Sequence, residues 1–183
     1  MNHYFKLPIN ATLSLVQPTI AMATTLFDLV DSDREHIRRF LDFVDTTKEA
    51  NDEINYINMK LSGYVKGTDR LFLIAYEGEL VGSIDLHSID SRNKKAEIGY
   101  WVHSSQIKKG IATKSVQKVC QIAFEEMGLN KLTIFADTKN IGSNAVALKS
   151  GFSLVGTDKE DIFMYDIFCD MNKYAMLKSE FTV

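Results

Sequence analysis

Apolar residues recur along this chain with a helical period in the first third and mostly with the two-residue period of strands thereafter. Thr12–Val16 alternates apolar and polar positions and closes on Gln17-Pro18, which predicts a short strand running into a helix with proline near its start. From Thr19 to Val30, the residues Ile20, Ala23, Leu26, Phe27 and Val30 recur at intervals of three and four, as one buried helix face requires. A second helix is expected to begin near Asp31–Asp33 and to carry Ile37, Phe40 and Leu41. A third, N-capped by Thr46-Thr47, should carry Ile54, Ile57, Leu61, Tyr64 and Val65 and end at Gly67.

The period then changes. Leu71–Tyr76 and Leu80–Ile89 are rich in β-branched and large apolar residues and flank Glu77-Gly78-Glu79, a hairpin signal. A polar turn at Ser91–Lys94 leads into Ala96–Val102, so the three strands should form an antiparallel meander. A helix follows over Ile111–Met127, with Val116, Val119, Cys120, Ala123 and Phe124 inward and Gly128 just past its end. Lys131–Ala136 reads as a strand, Gly142–Ser150 as a short helix closed by Gly151, and Phe152–Gly156 and Phe163–Tyr174 as closing strands. This order predicts an α+β or mixed α/β fold, a largely antiparallel sheet with helices on both faces.

Composition narrows what such a fold could do. The 183 residues are 45% hydrophobic and 25% charged, the balance of one compact domain over residues 1–183 with a sizeable core. A formal net charge of -3 gives no global positive field, which argues against direct binding to nucleic acid or to an anionic membrane. Cys120 and Cys169 lie far apart without metal-ligand spacing and read as reduced, buried thiols. Met1–Asn10 holds no apolar run of signal-peptide length, and no later run is long enough to span a membrane, so a cytoplasmic protein is expected.

The most informative segment for chemistry is Trp101 through Thr113, where a strand ends, a turn holds Lys108, Lys109 and Gly110, and a helix begins. The first N–H groups of a helix lack intrahelical partners and favour an anion, and Gly110 and Ala112 are small enough to let a diphosphate approach the backbone. An ordinary helix start on a solvated basic turn explains the same residues equally well. A P-loop does not fit, because Gly110–Ser115 lacks the glycine at the required spacing.

Ile107–Ala112 resembles the end of the Gln/Arg-x-x-Gly-x-Gly/Ala signature of the Gcn5-related N-acetyltransferases, with Ile107 at the usual Gln or Arg and Gln106 one residue upstream. Asn140–Val146 followed by Leu148–Phe152 resembles the Asn-x-x-Ser segment and Gly-Phe ending of the ribosomal-protein N-acetyltransferase branch. Ala96–Trp101, Asp31–His36 and Phe43–Asp45 are similar to that branch as well, so the resemblance runs from about Leu13 to Tyr174.

The resemblance implies acetyl-coenzyme A as cosubstrate, with no metal. Its pyrophosphate would lie on the amides from Lys108 to Thr113, including Ile111. Its pantetheine arm would run between splayed fourth and fifth strands past Trp101, Val102 and His103, with Asn140 both capping a helix and touching the ligand. It implies Ser143 as the acid that protonates the departing thiolate, with Tyr174 or Tyr165 as alternatives. The first candidate base is Glu97, on the strand that passes the acetyl group, with Glu160 and Asp161 as rivals. His103 could titrate near neutrality but is more simply a solvated loop residue.

Direct attack needs a neutral amine, and an α-amino group with a reference pKa of about 7.7 to 8.0 loses its proton far more readily than a lysine at about 10.4. The expected acceptor is the N-terminus of a ribosomal or other small protein. A small amine such as a polyamine or amino sugar is the alternative, and a non-catalytic coenzyme A-binding module is a third. The family resemblance also makes a homodimer plausible.

Overall fold

The computed structural model describes residues 5–182; the reading of the first four residues lies outside them. The elements run β1 (Lys6–Pro8), β2 (Leu13–Val16), α1 (Ala23–Asp31), α2 (Arg34–Ile37), α3 (Ala50–Lys66), β3 (Arg70–Tyr76), β4 (Glu79–Asp90), β5 (Lys95–Val102), α4 (Ile111–Gln121), β6 (Lys131–Asp137), α5 (Ile141–Lys149), β7 (Ser153–Met164) and β8 (Ile167–Leu177). The strands form a sheet in the order β1-β2-β3-β4-β5-β6-β8-β7. Every neighbouring pair is antiparallel except β5 and β6.

The central strands of the sheet are buried on both faces because their successive residues point to opposite cores. One core joins Leu13, Leu15, Ile74, Ile84, Leu86, Ile98, Leu132 and Ile134 to Val116, Val119 and Phe124. The opposite core packs Val16, Leu73 and Ala75 against Leu26 and Ile57 of α1 and α3. Val30, Ile37 and Val44 form a smaller cluster under Trp101 and Phe43. Full burial of each large aliphatic side chain contributes about 1.5–3 kcal/mol, so these two layers hold the sheet rigid on either side of β5.

Several boundaries differ from those expected. The α3 helix starts at Ala50, capped reciprocally by Glu49 and Asp52, because the Thr46 and Thr47 hydroxyls donate instead to the Phe43 carbonyl. The second helix is a single turn, Arg34–Ile37. The expected Ile111–Met127 helix is α4 continued by one wide π turn, Ile122–Glu126. The residues around 157–162, expected to be a loop, belong to β7, which runs on to a two-residue turn at Tyr165-Asp166, both with positive φ. Strand β1 was not expected; Asn10 Oδ1 accepts from the amides of Thr12 (2.9 Å) and Leu13 (2.8 Å), fixing the bend that returns it along β2.

Candidate active site

Strands β5 and β6 pair only at Lys95/Lys131, Ala96/Leu132 and Glu97/Thr133, after which they diverge. Beyond Glu97, the β5 edge that faces β6 keeps backbone donors and acceptors without ladder partners, and such groups need some other partner. The resulting V is a slot with a polar wall. No bulge interrupts β5 there: its register with β4 is continuous from Glu97/His87 to Val102/Gly82, and the irregularity falls at Ser88 and Ile89 of β4. Gly82 matters to this geometry, since a Cβ on it would collide with the Trp101 carbonyl.

At the open end, the chain turns through Lys108 (φ 64°) and Gly110 (φ 76°) into α4. Gly110 is the left-handed N-cap and supplies no side-chain cap, so the first amides of the helix, at Ile111, Ala112 and Thr113, stay available. No acidic residue lies in that first turn. Ile111 is buried in the core, leaving its backbone as the part that a ligand could meet. Lys109 Nζ donates to Gln106 Oε1 at 2.7 Å and lies over the Tyr76 ring. Lys108 and Ile107 are exposed. An extended ligand with a phosphorylated end fits this arrangement: a dipole-favoured anion site at one end, and a slot lined by unpaired amides and carbonyls leading inward.

The loop between β5 and α4 is clamped from the helical layer. Asp33 accepts from the Ser104 amide (2.7 Å) and hydroxyl (2.6 Å). His103 Nδ1 accepts from the Ser105 amide, which leaves the proton of a neutral ring on Nε2, 3.3 Å from Ser32 Oγ. His103 is therefore a structural strut between the loop and the end of α1. Trp101 packs on the same side, 6.3 Å from the Phe43 ring, while Val102 packs into the opposite core.

Ser143 lies in the first turn of α5. Its amide donates to Asn140 Oδ1 at 3.0 Å, an N-cap bond, and its hydroxyl is 3.0 Å from Tyr100 Oη of β5. Burial pushes the Tyr100 phenol up to about 12, so it remains a proton donor throughout the physiological range. Tyr174 is tied elsewhere, donating to Asn144 Oδ1, which also accepts from Asn172. Tyr165 sits in the β7–β8 turn with the Arg38 guanidinium 3.9 Å from its ring centre.

Glu97 occupies the apex of the V, on the face of β5 opposite Tyr100. Its Oε2 is 3.5 Å from His87 Nε2. Glu160 and Asp161 are exposed on β7, where the Glu160 amide donates to Asp170 Oδ1. Residue parity could have placed Glu97 and Tyr100 on opposite faces from the sequence. The Asp33 clamp leaves no local mark, because its partner Ser104 lies 71 residues further on, and His87 meets Glu97 only across the ladder.

Residues 12–153 match the model of the acetyltransferase (GNAT) domain. YdaF of Bacillus subtilis (strain 168), named as a candidate ribosomal N-acetyltransferase, is 38% identical over 107 residues, which span 58% of this chain and 58% of that relative. The ribosomal-protein-serine acetyltransferase of Escherichia coli (strain K12) is 29% identical over 152 residues, 83% of this chain and 85% of the relative. A solved structure of RimL, a ribosomal L7/L12 alpha-N-protein acetyltransferase in complex with coenzyme A, superposes with a TM-score of 0.91 over 94% of this chain and 98% of that one, at 24% identity. With its splayed strands, its glycine turn into α4 and a family match over most of its length, the chain belongs to the GNAT acetyltransferase family, whose cosubstrate is acetyl-coenzyme A.

Proposed function

We propose that residues 1–183 act as one acetyl-coenzyme A-dependent N-acetyltransferase domain whose acceptor is the N-terminal amine of a ribosomal or other small protein. The observation that carries this reading is the placement of Glu97 and Ser143. The carboxylate stands on one face of β5 at the apex of the V, and the hydroxyl stands on the other face against Tyr100. Direct attack needs such a pair, a base for the incoming amine and a proton donor for the outgoing sulfur.

Bound acetyl-coenzyme A supplies the activated acetyl group as a thioester. Within this chain, Glu97 takes the proton from the acceptor ammonium. Tyr100 Oη reaches both the Ser143 carbonyl (3.1 Å) and Ser143 Oγ (3.0 Å); when its single proton is directed to Oγ, the Ser143 proton is free to point toward the departing sulfur. Lys108 and the first amides of α4 hold the phosphorylated end. A single partly solvated carboxylate suffices for an α-amine, whose pKa of about 7.7 to 8.0 leaves an appreciable neutral fraction, and is a weak base for a lysine at about 10.4. The likeness to a ribosomal-protein-serine acetyltransferase over most of both chains supports the same class of acceptor.

The test is competition among matched acceptors: a peptide with a free N-terminus, the same peptide N-blocked with an internal lysine, and a polyamine. Mass spectrometry should place the acetyl group on the free N-terminus. Faster modification of the lysine or the polyamine would reject the N-terminal reading.

A further inference from the structure

The polar groups on the α3 side of β4 and β5 form a connected chain that ends at Glu97. Lys60 Nζ, reaching down from α3, donates to Asp69 Oδ1 at 2.8 Å and to Asp85 Oδ2 at 2.6 Å. The other oxygen of Asp85 is 3.3 Å from His87 Nδ1, and His87 Nε2 faces Glu97. Asp85 and His87 stand two residues apart on β4 and so share a face, and His87 pairs with Glu97 across the ladder. Space for the imidazole is built in by Gly99, opposite Asp85: a Cβ there would lie 2.9 Å from Asp85 Oδ1 and 3.2 Å from His87 Cε1. Side-chain exposure rises along the chain, from 11% at Lys60 and 12% at Asp85 to 35% at His87 and 38% at Glu97. Among the described residues no three acidic, His or Cys side chains converge as a metal cage.

This geometry sets the tautomer. Ionised Asp85 can only accept, so His87 Nδ1 carries a proton; Nε2 then offers a lone pair in the neutral ring and donates toward the Glu97 carboxylate in the imidazolium. Three carboxylates, of Asp69, Asp85 and Glu97, against the one ammonium of Lys60 leave a net negative charge beside the ring. The pKa of His87 is accordingly raised, first by its hydrogen bond to Asp85 and against burial, with the charges of Asp85 and Glu97 adding and that of Lys60 opposing. Tyr56, also on α3 beside this chain, is held neutral by burial, with the charges of Asp85, Glu53 and Asp69 adding.

We propose that His87 is a positioning residue for acetyl transfer: as the imidazolium it holds the Glu97 carboxylate at the apex of the V, and as the neutral ring it accepts the proton that Glu97 removes from the acceptor. The step balances without a change of oxidation state. An N–H bond of the acceptor ammonium breaks as an O–H bond forms at Glu97, and that O–H bond breaks as an N–H bond forms at His87 Nε2. The imidazolium, steadied by Asp85 at Nδ1, returns the proton to water through its exposed edge. The inference rests on Glu97 as base, and the experiment separates the two.

Steady-state kinetics across pH on wild type, His87→Gln, Glu97→Gln and the double variant are read together with the NMR titration of His87 in wild type and Glu97→Gln. Glutamine can still bond to Asp85 and Glu97 but cannot take the proton. His87→Gln should lower kcat about ten- to a hundredfold, below the full worth of a direct acid or base, with the KM for acetyl-coenzyme A changed less than about twofold. The acid limb of kcat/KM should move to lower pH, and the double variant should be no slower than Glu97→Gln. In the titration, His87 should ionise above its ordinary value of about 6.5 and move down when Glu97 loses its charge. A fully active Glu97→Gln enzyme would remove the base and this inference with it. A crippled Glu97→Gln beside a His87→Gln of normal rate and pH profile would overturn the inference alone, as would a His87 titration unmoved by Glu97→Gln, which needs no folded His87 variant.

Discussion

On the α3 side of β5, Glu97 ends a run of charged groups that passes through His87 and Asp85 to Lys60, whereas on the α4 side Tyr100 and Ser143 form a pair of neutral hydroxyls. The difference follows from what each side would have to do. A base must change its charge during the reaction, and a chain of ionisable neighbours can absorb that change. A donor to a departing thiolate must keep its proton until needed, and burial of the Tyr100 phenol secures this by disfavouring the phenolate. On the proposed reading one strand serves both, because residues 97 and 100 differ by an odd number and so face opposite ways.

The sharpest way to break this comparison is Glu97→Gln. It removes the charge from one face and leaves the other untouched, so kcat should fall by about 10² to 10³, within the range for a positioned base, while calorimetric affinity for coenzyme A stays the same. A small loss of rate would move the base to another residue, with Glu160 and Asp161 next in line. On the hydroxyl face, Ser143→Ala should lower kcat about a hundredfold, the low end for a general acid because a thiolate with a pKa of about 8.5 is already a fair leaving group. Tyr100→Phe should cost less, about five- to tenfold, and the double variant should be no worse than Ser143→Ala, since both act on one proton. Additive losses would show that Tyr100 acts on something other than Ser143.

The two faces were unequally legible in the sequence. Ser143 lay in a helix start marked by Asn140 before it and Gly151 beyond its end, and α4 was bracketed by Gly110 and Gly128, all local signals of chain conformation. The charged chain had no such mark, because Lys60, Asp69, Asp85, His87 and Glu97 come from a helix, a loop and two strands that only the folded sheet brings together. Strand β7 was hidden for a related reason. It is an edge strand exposed along nearly its whole length, so Thr157–Asp161 carries no alternation for burial to impose, and its turn at Tyr165-Asp166 lacks the usual glycine. The Asp33 clamp reaches 71 residues along the chain to Ser104. Tertiary context decides such contacts, and only a periodic or conformational demand leaves a trace in a single sequence.

Gly110→Val sharpens the comparison by touching neither face. A valine has open space for its Cβ here, with Lys114 Cε the nearest atom at 4.0 Å, so the effect comes from the backbone: a β-branched residue is strained at φ 76°. The turn should relax away from the geometry that presents the amides of α4, and coenzyme A affinity should fall about tenfold, the equivalent of about 1.4 kcal/mol. The pH profile of kcat should keep its shape. A changed profile would mean that the phosphate turn and the base are coupled.

The smallest expected effect separates the helix cap from the hydroxyl it carries. Asn140→Ala removes the Oδ1 that accepts the Ser143 amide but leaves the bond between Ser143 Oγ and Tyr100 in place. Loss of an N-cap costs about 0.5 to 2 kcal/mol, and the Asn140 carbonyl still accepts from the Asn144 amide, so α5 should fray rather than unfold. Melting temperature should therefore drop by a few degrees, while kcat falls only about two- to fivefold, because Tyr100 continues to orient the hydroxyl. Asn140→Asp should restore stability, since a carboxylate caps the helix and lies favourably at the positive end of its dipole. If Asn140→Ala instead loses as much kcat as Ser143→Ala, the cap and not Tyr100 aims the hydroxyl, and the neutral face would owe its function to α5 rather than to β5.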